Sequence, residues 1–151
     1  MAGIDKAVQL ACAGHAGVRD KGGTPYIFHA LEVMMGVRAG GGTEDECCGA
    51  VMHDLVEDTD LTLDDLRRER FSEAVVNMVD AVSKRPDEDI EQYKRRIAVN
   101  ASAKKIKIVD LKRNMDVTRL KNRHCLTEKD LHRIKVYAEL YDFFVGGTVG
   151  V

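Results

Sequence analysis

Apolar residues recur at three- and four-residue intervals along nearly the whole chain, and only two prolines, Pro25 and Pro86, interrupt them. That period matches one face of an α-helix, and no segment alternates as a half-buried strand would. The chain therefore reads as all-α, a single-domain helical bundle over residues 1–145 followed by a loose tail, GGTVGV, at 146–151. Ile4, Ala7, Val8, Ala11 and Cys12 mark a first helix closed by Gly14 and Gly17. A glycine-rich loop, VRDKGGTPY, leads into a second from about His29 to Arg38. Thr43 with Glu46 matches a capping box and opens a third helix that runs on through the fifties. Thr62 and Ser72 cap helices at about 63–69 and 73–84, one follows from about Asp89 to Val99, and Ser102 caps the next at about 103–115. Thr127 with Asp130 opens the last, whose Leu131, Ile134, Tyr137, Leu140, Tyr141 and Phe144 form a core stripe.

Bulk properties exclude several classes. The net charge of −2 argues against a general nucleic-acid binder. No apolar run approaches a membrane span, and the N-terminus lacks a basic leader, so a cytoplasmic protein is expected. Cys12, Cys47, Cys48 and Cys125 contain no CxxC spacing and read as small, buried, reduced thiols. Charge is unevenly spread. Residues 44–73 hold eleven acids and three bases, whereas 104–123 hold eight bases and two acids. The pattern fits two solvated faces, or an acidic metal centre beside a basic wall that receives an anion.

The acidic block contains MHDLVEDT, residues 52–59. On a continuous helix His53, Asp54, Glu57 and Asp58 share an arc of about 140°, opposite Val51 and Leu55. Ala50 and Cys47 flank that arc and leave room above it. Crowded carboxylates are unfavourable in a protein interior unless a positive charge compensates them. His29 opens the second helix, and Asp110 sits in an otherwise apolar and basic run, KIKIVDLKRN, so it needs a partner or a metal. Two imidazoles and two carboxylates suit manganese, iron or zinc. His15, His124 and His132 have no partner pattern and read as structural.

The order His29, His53-Asp54, Asp110 resembles the H…HD…D signature of the HD metal-dependent phosphohydrolases. GHAGVRDKGGTPYIFHALEV, HDLVEDT, VDAVSK and VDLKRNM resemble the hydrolase domain of RelA/SpoT homologues and the small alarmone hydrolases, over roughly residues 10–120. The resemblance implies a fold of HD type and removal of the 3′-pyrophosphate from guanosine tetra- or pentaphosphate with Mn2+, or with Fe2+ or Zn2+. It implies that His29, His53, Asp54 and Asp110 bind the metal and that Glu57 and Asp58 activate and orient water. Arg19, Lys21, Lys107 and Asn114 would meet a small-molecule nucleotide, with neither nucleic acid nor membrane as partner; an oligomer stays open. Val18, Asp20, Ala30 and Asp116 depart from the family pattern, and two of these place negative charge where it is usually basic. The alternatives are a phosphatase of another phosphorylated nucleotide, such as a dinucleotide cofactor, and a nucleotide-binding HD sensor module.

Overall fold

The computed structural model describes residues 1–146. Its helices are α1 (Ile4–Gly14), α2 (Ile27–Ala39), α3 (Glu44–Val51), α4 (Leu55–Asp58), α5 (Leu63–Arg68), α6 (Glu73–Val82), α7 (Ile90–Ala98), α8 (Ala101–Asn114) and α9 (Glu128–Val145), with a 3-10 turn at Val117–Arg119. Among the described residues there is no strand, only one isolated bridge between Arg19 and Pro25 that pins the glycine-rich loop. The expected tail lies outside the described residues except Gly146, whose φ of 71° ends α9 in the left-handed region.

Local signals place most helix starts. Thr43 and Glu46, Thr62 and Asp65, and Thr127 and Asp130 each form a reciprocal capping box, as does Asp89 with Gln92. Ser102 does not cap α8. Asn100 does, accepting from the Ala103 amide at 2.9 Å, while Ser102 donates to Glu46 at 2.8 Å. Asn100 has the same capping chemistry and lies two residues earlier, so only the path of the chain decides between them. Cys47 and Cys48 are buried and all four cysteines are free, but Cys12 and Cys125 are exposed, contrary to the uniformly buried reading.

Helix α3 is the axis of the bundle, touching α1, α2, α6 and α8. One core cluster joins Val33, Ala50, Met78, Ile97, Ile106 and Leu140; a second joins Ala11, Val51, Met52, Leu55, Leu66 and Val76. Cys47 belongs to the first of these cores as filler. Glu46 ties the axis to α8: buried itself, it accepts from Lys105 at 3.0 Å as well as from Ser102.

The third helix does not continue through the HD pair. It ends at Val51, Met52–Asp54 form a turn, and α4 starts at Leu55. The His53 amide reaches back only three residues, to the Ala50 carbonyl at 3.3 Å, and the Leu55 amide to Met52 at 3.0 Å. This tightening reorients the chain, so the single polar arc does not exist. His53 is as deeply buried as Val51 and Leu55, whereas Glu57 and Asp58 lie on the exposed side. Ala50 and Cys47 line the core instead of opening space above a polar face.

Helices α2 and α8 approach closely where α2 has Gly36. A Cβ there would lie 2.6 Å from Val109 Cγ1. Since α2 carries His29 and α8 carries Asp110, this contact sets their spacing. Replacing Gly36 with Leu forces the helices apart, and we expect a loss of about 1–3 kcal/mol, read as a lower urea midpoint with unchanged slope, together with weaker divalent-metal retention.

Candidate metal centre and adjoining cavity

Three segments deliver four side chains to one point. His29 comes from the first turn of α2, His53 and Asp54 from the turn between α3 and α4, and Asp110 from α8. His29 Nε2 lies 2.9 Å from Asp110 Oδ1. His53 Nε2 lies 3.4 Å from that oxygen and 3.0 Å from Asp54 Oδ2. His29, His53 and Asp110 are 4%, 3% and 3% exposed, whereas the Asp54 side chain is 17% exposed and opens the cluster on one side.

The surroundings aim these donors. His53 Nδ1 is 2.7 Å from the Ala50 carbonyl, which accepts its proton and turns Nε2 toward the carboxylates. That Nε2 is buried and has no well-directed hydrogen bond despite its close carboxylate neighbours. Tyr26 donates its hydroxyl to Asp54 Oδ2. Asp110 accepts from Asn114 Nδ2 at 3.0 Å on one oxygen and from the Lys107 ammonium at 2.9 Å on the other.

Charge balance explains how the cluster survives burial. Burial pushes the Asp110 carboxyl up, but Lys107, His53 and His29 together hold it well below the ordinary aspartate value. Burial likewise opposes the charge on His53, and Asp54 and Asp110 overcome it, holding that imidazole well above its ordinary value. An imidazolium there is what one proton can do to balance two carboxylates. A divalent cation does it with more charge, and needs His53 neutral with Nε2 free. The unpartnered Nε2, the nitrogen–oxygen donor set, and His29, His53 and Asp54 with ligand atoms within 4.8 Å of one another fit a metal ion of borderline hardness.

Beside this cluster lies a cavity of about 400 Å³. Tyr26 and Asn114, which hold Asp54 and Asp110, belong to its wall, so the two sites share a boundary. Arg19, Lys21, Asn114 and Asp58 all line it. Lys107 does not. Its ammonium sits on Asp110 and 5.6 Å above the Tyr93 ring, away from the cavity wall. Glu57 is also absent from the wall; its Oε1 accepts the Lys84 amide at 2.8 Å and braces the chain after α6. Asp58 is exposed on the cavity rim beside other carboxylates, and partial desolvation, then Asp54 and Glu57, push its pKa up to about 6.

Several lining residues carried no sequence signal. Arg119 and Arg133 join the basic wall, with Tyr137 and Ile134 from α9 supplying an apolar side. The unusual acids in this region are already engaged. Asp20 accepts from the Gly22 and Thr24 amides, each at 2.9 Å, and faces Arg119 at 3.5 Å. Asp116 caps the 3-10 turn through Thr118. Asp20 followed two residues later by glycine is an Asx-turn signal that could have been read. Tyr26 could have been read too, as a buried hydroxyl three residues before a candidate ligand.

This site lies on a known framework. The HD domain family model matches residues 7–118, and the chain belongs to that family. The chain is 30% identical over 118 residues to the guanosine-3′,5′-bis(diphosphate) 3′-pyrophosphohydrolase of Aquifex aeolicus, covering 75% of this chain. It is 34% identical over 146 residues to the GTP pyrophosphokinase of Streptomyces coelicolor, covering 91%. It spans only 17% of the length of each of these curated relatives. A solved structure, described as a metazoan ortholog of SpoT that hydrolyzes ppGpp and plays a role in starvation responses, superposes with a TM-score of 0.75 at 25% identity. That superposition covers 97% of this chain and 87% of the other. Among the described residues no helix is long and apolar enough to cross a membrane.

Tyr26→Phe removes the hydroxyl that orients Asp54 and little else. Loss of a hydrogen bond behind a ligand weakens metal binding by about 10–100-fold, so a calorimetric titration with Mn2+ should read a Kd raised by that factor at near-unchanged Tm. An unchanged Kd would remove Tyr26 from the site.

Proposed function

We propose that the chain is a manganese-dependent 3′-pyrophosphohydrolase of guanosine tetra- and pentaphosphate, yielding GDP or GTP and pyrophosphate. The observation that carries this reading is the shared wall. His29, His53 and Asp54 cluster with Asp110 against the two imidazoles, and they adjoin a cavity lined by cations whose volume, about 400 Å³, is within the range of small-ligand sites. The Aquifex aeolicus relative and the solved structure, both named for hydrolysis, support it, whereas the Streptomyces coelicolor relative is named for GTP pyrophosphokinase activity.

His29, His53, Asp54 and Asp110 would hold the ion. When bound, it supplies Lewis acidity, lowering the pKa of a water and drawing charge from the phosphoryl group. The chain's own residues do the rest. Asp58, on the cavity wall beside the cluster, accepts the proton of the attacking water. Glu57 keeps the Met52–Thr59 segment and the Lys84 backbone together, which orients Asp58. Arg19 and Lys21 from the glycine-rich loop, with Arg119 and Arg133, neutralise the phosphates. Lys21 is suited to this: among the described residues it makes no ion pair, and burial and the nearby Arg133 charge lower its pKa. An arriving anion relieves that repulsion. Asn114 bridges Asp110 and Arg119, at 3.0 and 3.3 Å, linking the metal ligand to the phosphate wall. Lys107 serves from behind, as the counter-charge of Asp110.

The test is product analysis with Mn2+-loaded protein and guanosine tetraphosphate. Release of pyrophosphate and GDP is expected. Orthophosphate released instead from a phosphorylated dinucleotide would favour the rival phosphatase, and binding without turnover would favour a sensor. Asp58→Asn should retain the metal and lower kcat by about 100-fold or more, with the larger effect on kcat than on KM. Wild-type kcat in that variant would remove Asp58 as proton acceptor.

A further inference from the structure

The glycine-rich loop places an acid in the cationic wall of the cavity. Asp20 lines that wall with Arg19, Lys21, Arg119 and Arg133. Its Oδ1 accepts from the Gly22 and Thr24 amides, each at 2.9 Å, and this closes the loop. Its Oδ2 takes no part in that turn. It faces Arg119 Nη2 at 3.5 Å, and the two side chains are 14% and 27% exposed. An asparagine side chain, which keeps one carbonyl oxygen, would order the loop equally well. The turn therefore does not account for the charge on the second oxygen.

Nor is the ion pair needed to hold the loop against the segment after α8. A Cβ at Gly22 would lie 2.4 Å from the Arg119 carbonyl oxygen, so the two backbones already touch there. The Arg119 guanidinium is fixed from behind. Its Nη1 donates to the Arg113 carbonyl at 2.8 Å and to Asn114 Oδ1 at 3.3 Å, which leaves Nη2 for Asp20. The contact is loose beside its neighbour in the same wall, where Arg133 Nη2 lies 2.6 Å from Asp130 Oδ1. A long, partly exposed ion pair contributes little and separates readily. Of the two paired arginines, Arg119 is thus the one more easily transferred to another anion.

We propose that Asp20 is an internal competitor for Arg119. Its carboxylate holds Nη2 in the free protein, yields it to a phosphate oxygen of the bound ligand, and so sets how tightly the cavity retains pyrophosphate. The inference rests on the reading above that the cavity receives a phosphorylated nucleotide and releases pyrophosphate. A wholly cationic wall would bind substrate and product phosphates alike, and slow product release limits turnover. A carboxylate fixed within the wall weakens that hold and gives Arg119 a counter-ion as pyrophosphate departs. One anion replaces another on the guanidinium, and no covalent bond changes. Asp20 acts through Arg119 and is a positioning residue.

The experiment uses the full chain at one fixed concentration of free Mn2+. Inorganic pyrophosphate is titrated by calorimetry into wild type, Asp20→Asn, Arg119→Gln and the double variant. Asp20→Asn keeps the acceptor for the loop amides, so an unchanged Tm is expected, with pyrophosphate bound about 3–10-fold more tightly. In the Arg119→Gln background the same substitution should change affinity by less than about twofold, because the group competed for is gone. Arg119→Met takes the place of the glutamine variant if the latter does not fold. With guanosine tetraphosphate, Asp20→Asn should lower KM and strengthen product inhibition by pyrophosphate by a similar factor; a residue that only orders the loop would move neither. If the wild type does not hydrolyse the alarmone yet the cycle shows this coupling, the substrate reading falls and the Asp20 assignment stands. Equal affinity in wild type and Asp20→Asn, an equal gain with and without Arg119, or no pyrophosphate binding by the wild type overturns the assignment.

Discussion

A buried carboxylate, Asp110, is the constraint around which the bundle is arranged. It is enclosed by α8's own Lys107 and Asn114 and by imidazoles from α2 and from the α3–α4 turn. Removing a carboxylate from water is tolerable only when each oxygen finds donors or cations. Here one oxygen receives Lys107 and the other receives Asn114 while facing two histidines. The close passage of α2 past α8 at Gly36 and the anchoring of α3 to α8 through Glu46 keep those groups within reach. The helices could pack apolar faces in many ways; few of these also satisfy Asp110.

The same arrangement separates two environments that a single helical wheel would merge. The break at Met52–Asp54 sends His53 inward, keeps Asp54 partly buried beside it and leaves Glu57 and Asp58 at the wetter margin. Neutralisation and ligation need low solvent exposure, where a divalent charge is felt strongly. At that margin desolvation, with Asp54 and Glu57 close by, raises the Asp58 carboxyl toward neutrality. The two environments sit within one short run of chain because three-residue hydrogen bonds turn it sharply between them.

Much of the fold was legible from local chemistry. Thr43, Thr62, Ser72 and Thr127 each start a helix, because a cap and its partner lie within three residues of each other. The candidate ligands were legible for a different reason. Asp110 amid isoleucine, valine and leucine is incompatible with burial unless paired, and Lys107, Asn114 and His29, with His53 close by, supply the pairing. What local chemistry missed is equally specific. Asn100 and Ser102 are both competent caps, and the choice of Asn100 frees Ser102 for Glu46, a partner far away in sequence. Cys12 and Cys125 read as buried thiols because cysteine usually is, but their helix faces and loops happen to point outward.

The sequence by itself determined the helical class, most of the caps, and the side chains suited to a divalent ion, since these depend on period, neighbouring residues and the energetics of buried charge. Only the tertiary structure decided where the third helix stops, which acids face the cavity, that Lys107 backs Asp110 instead of lining that cavity, and that Arg119, Arg133, Tyr26 and His15 stand around it. Those outcomes come from contacts between segments far apart in the chain. A residue's own spacing carries no information about which distant group will fill the space opposite it.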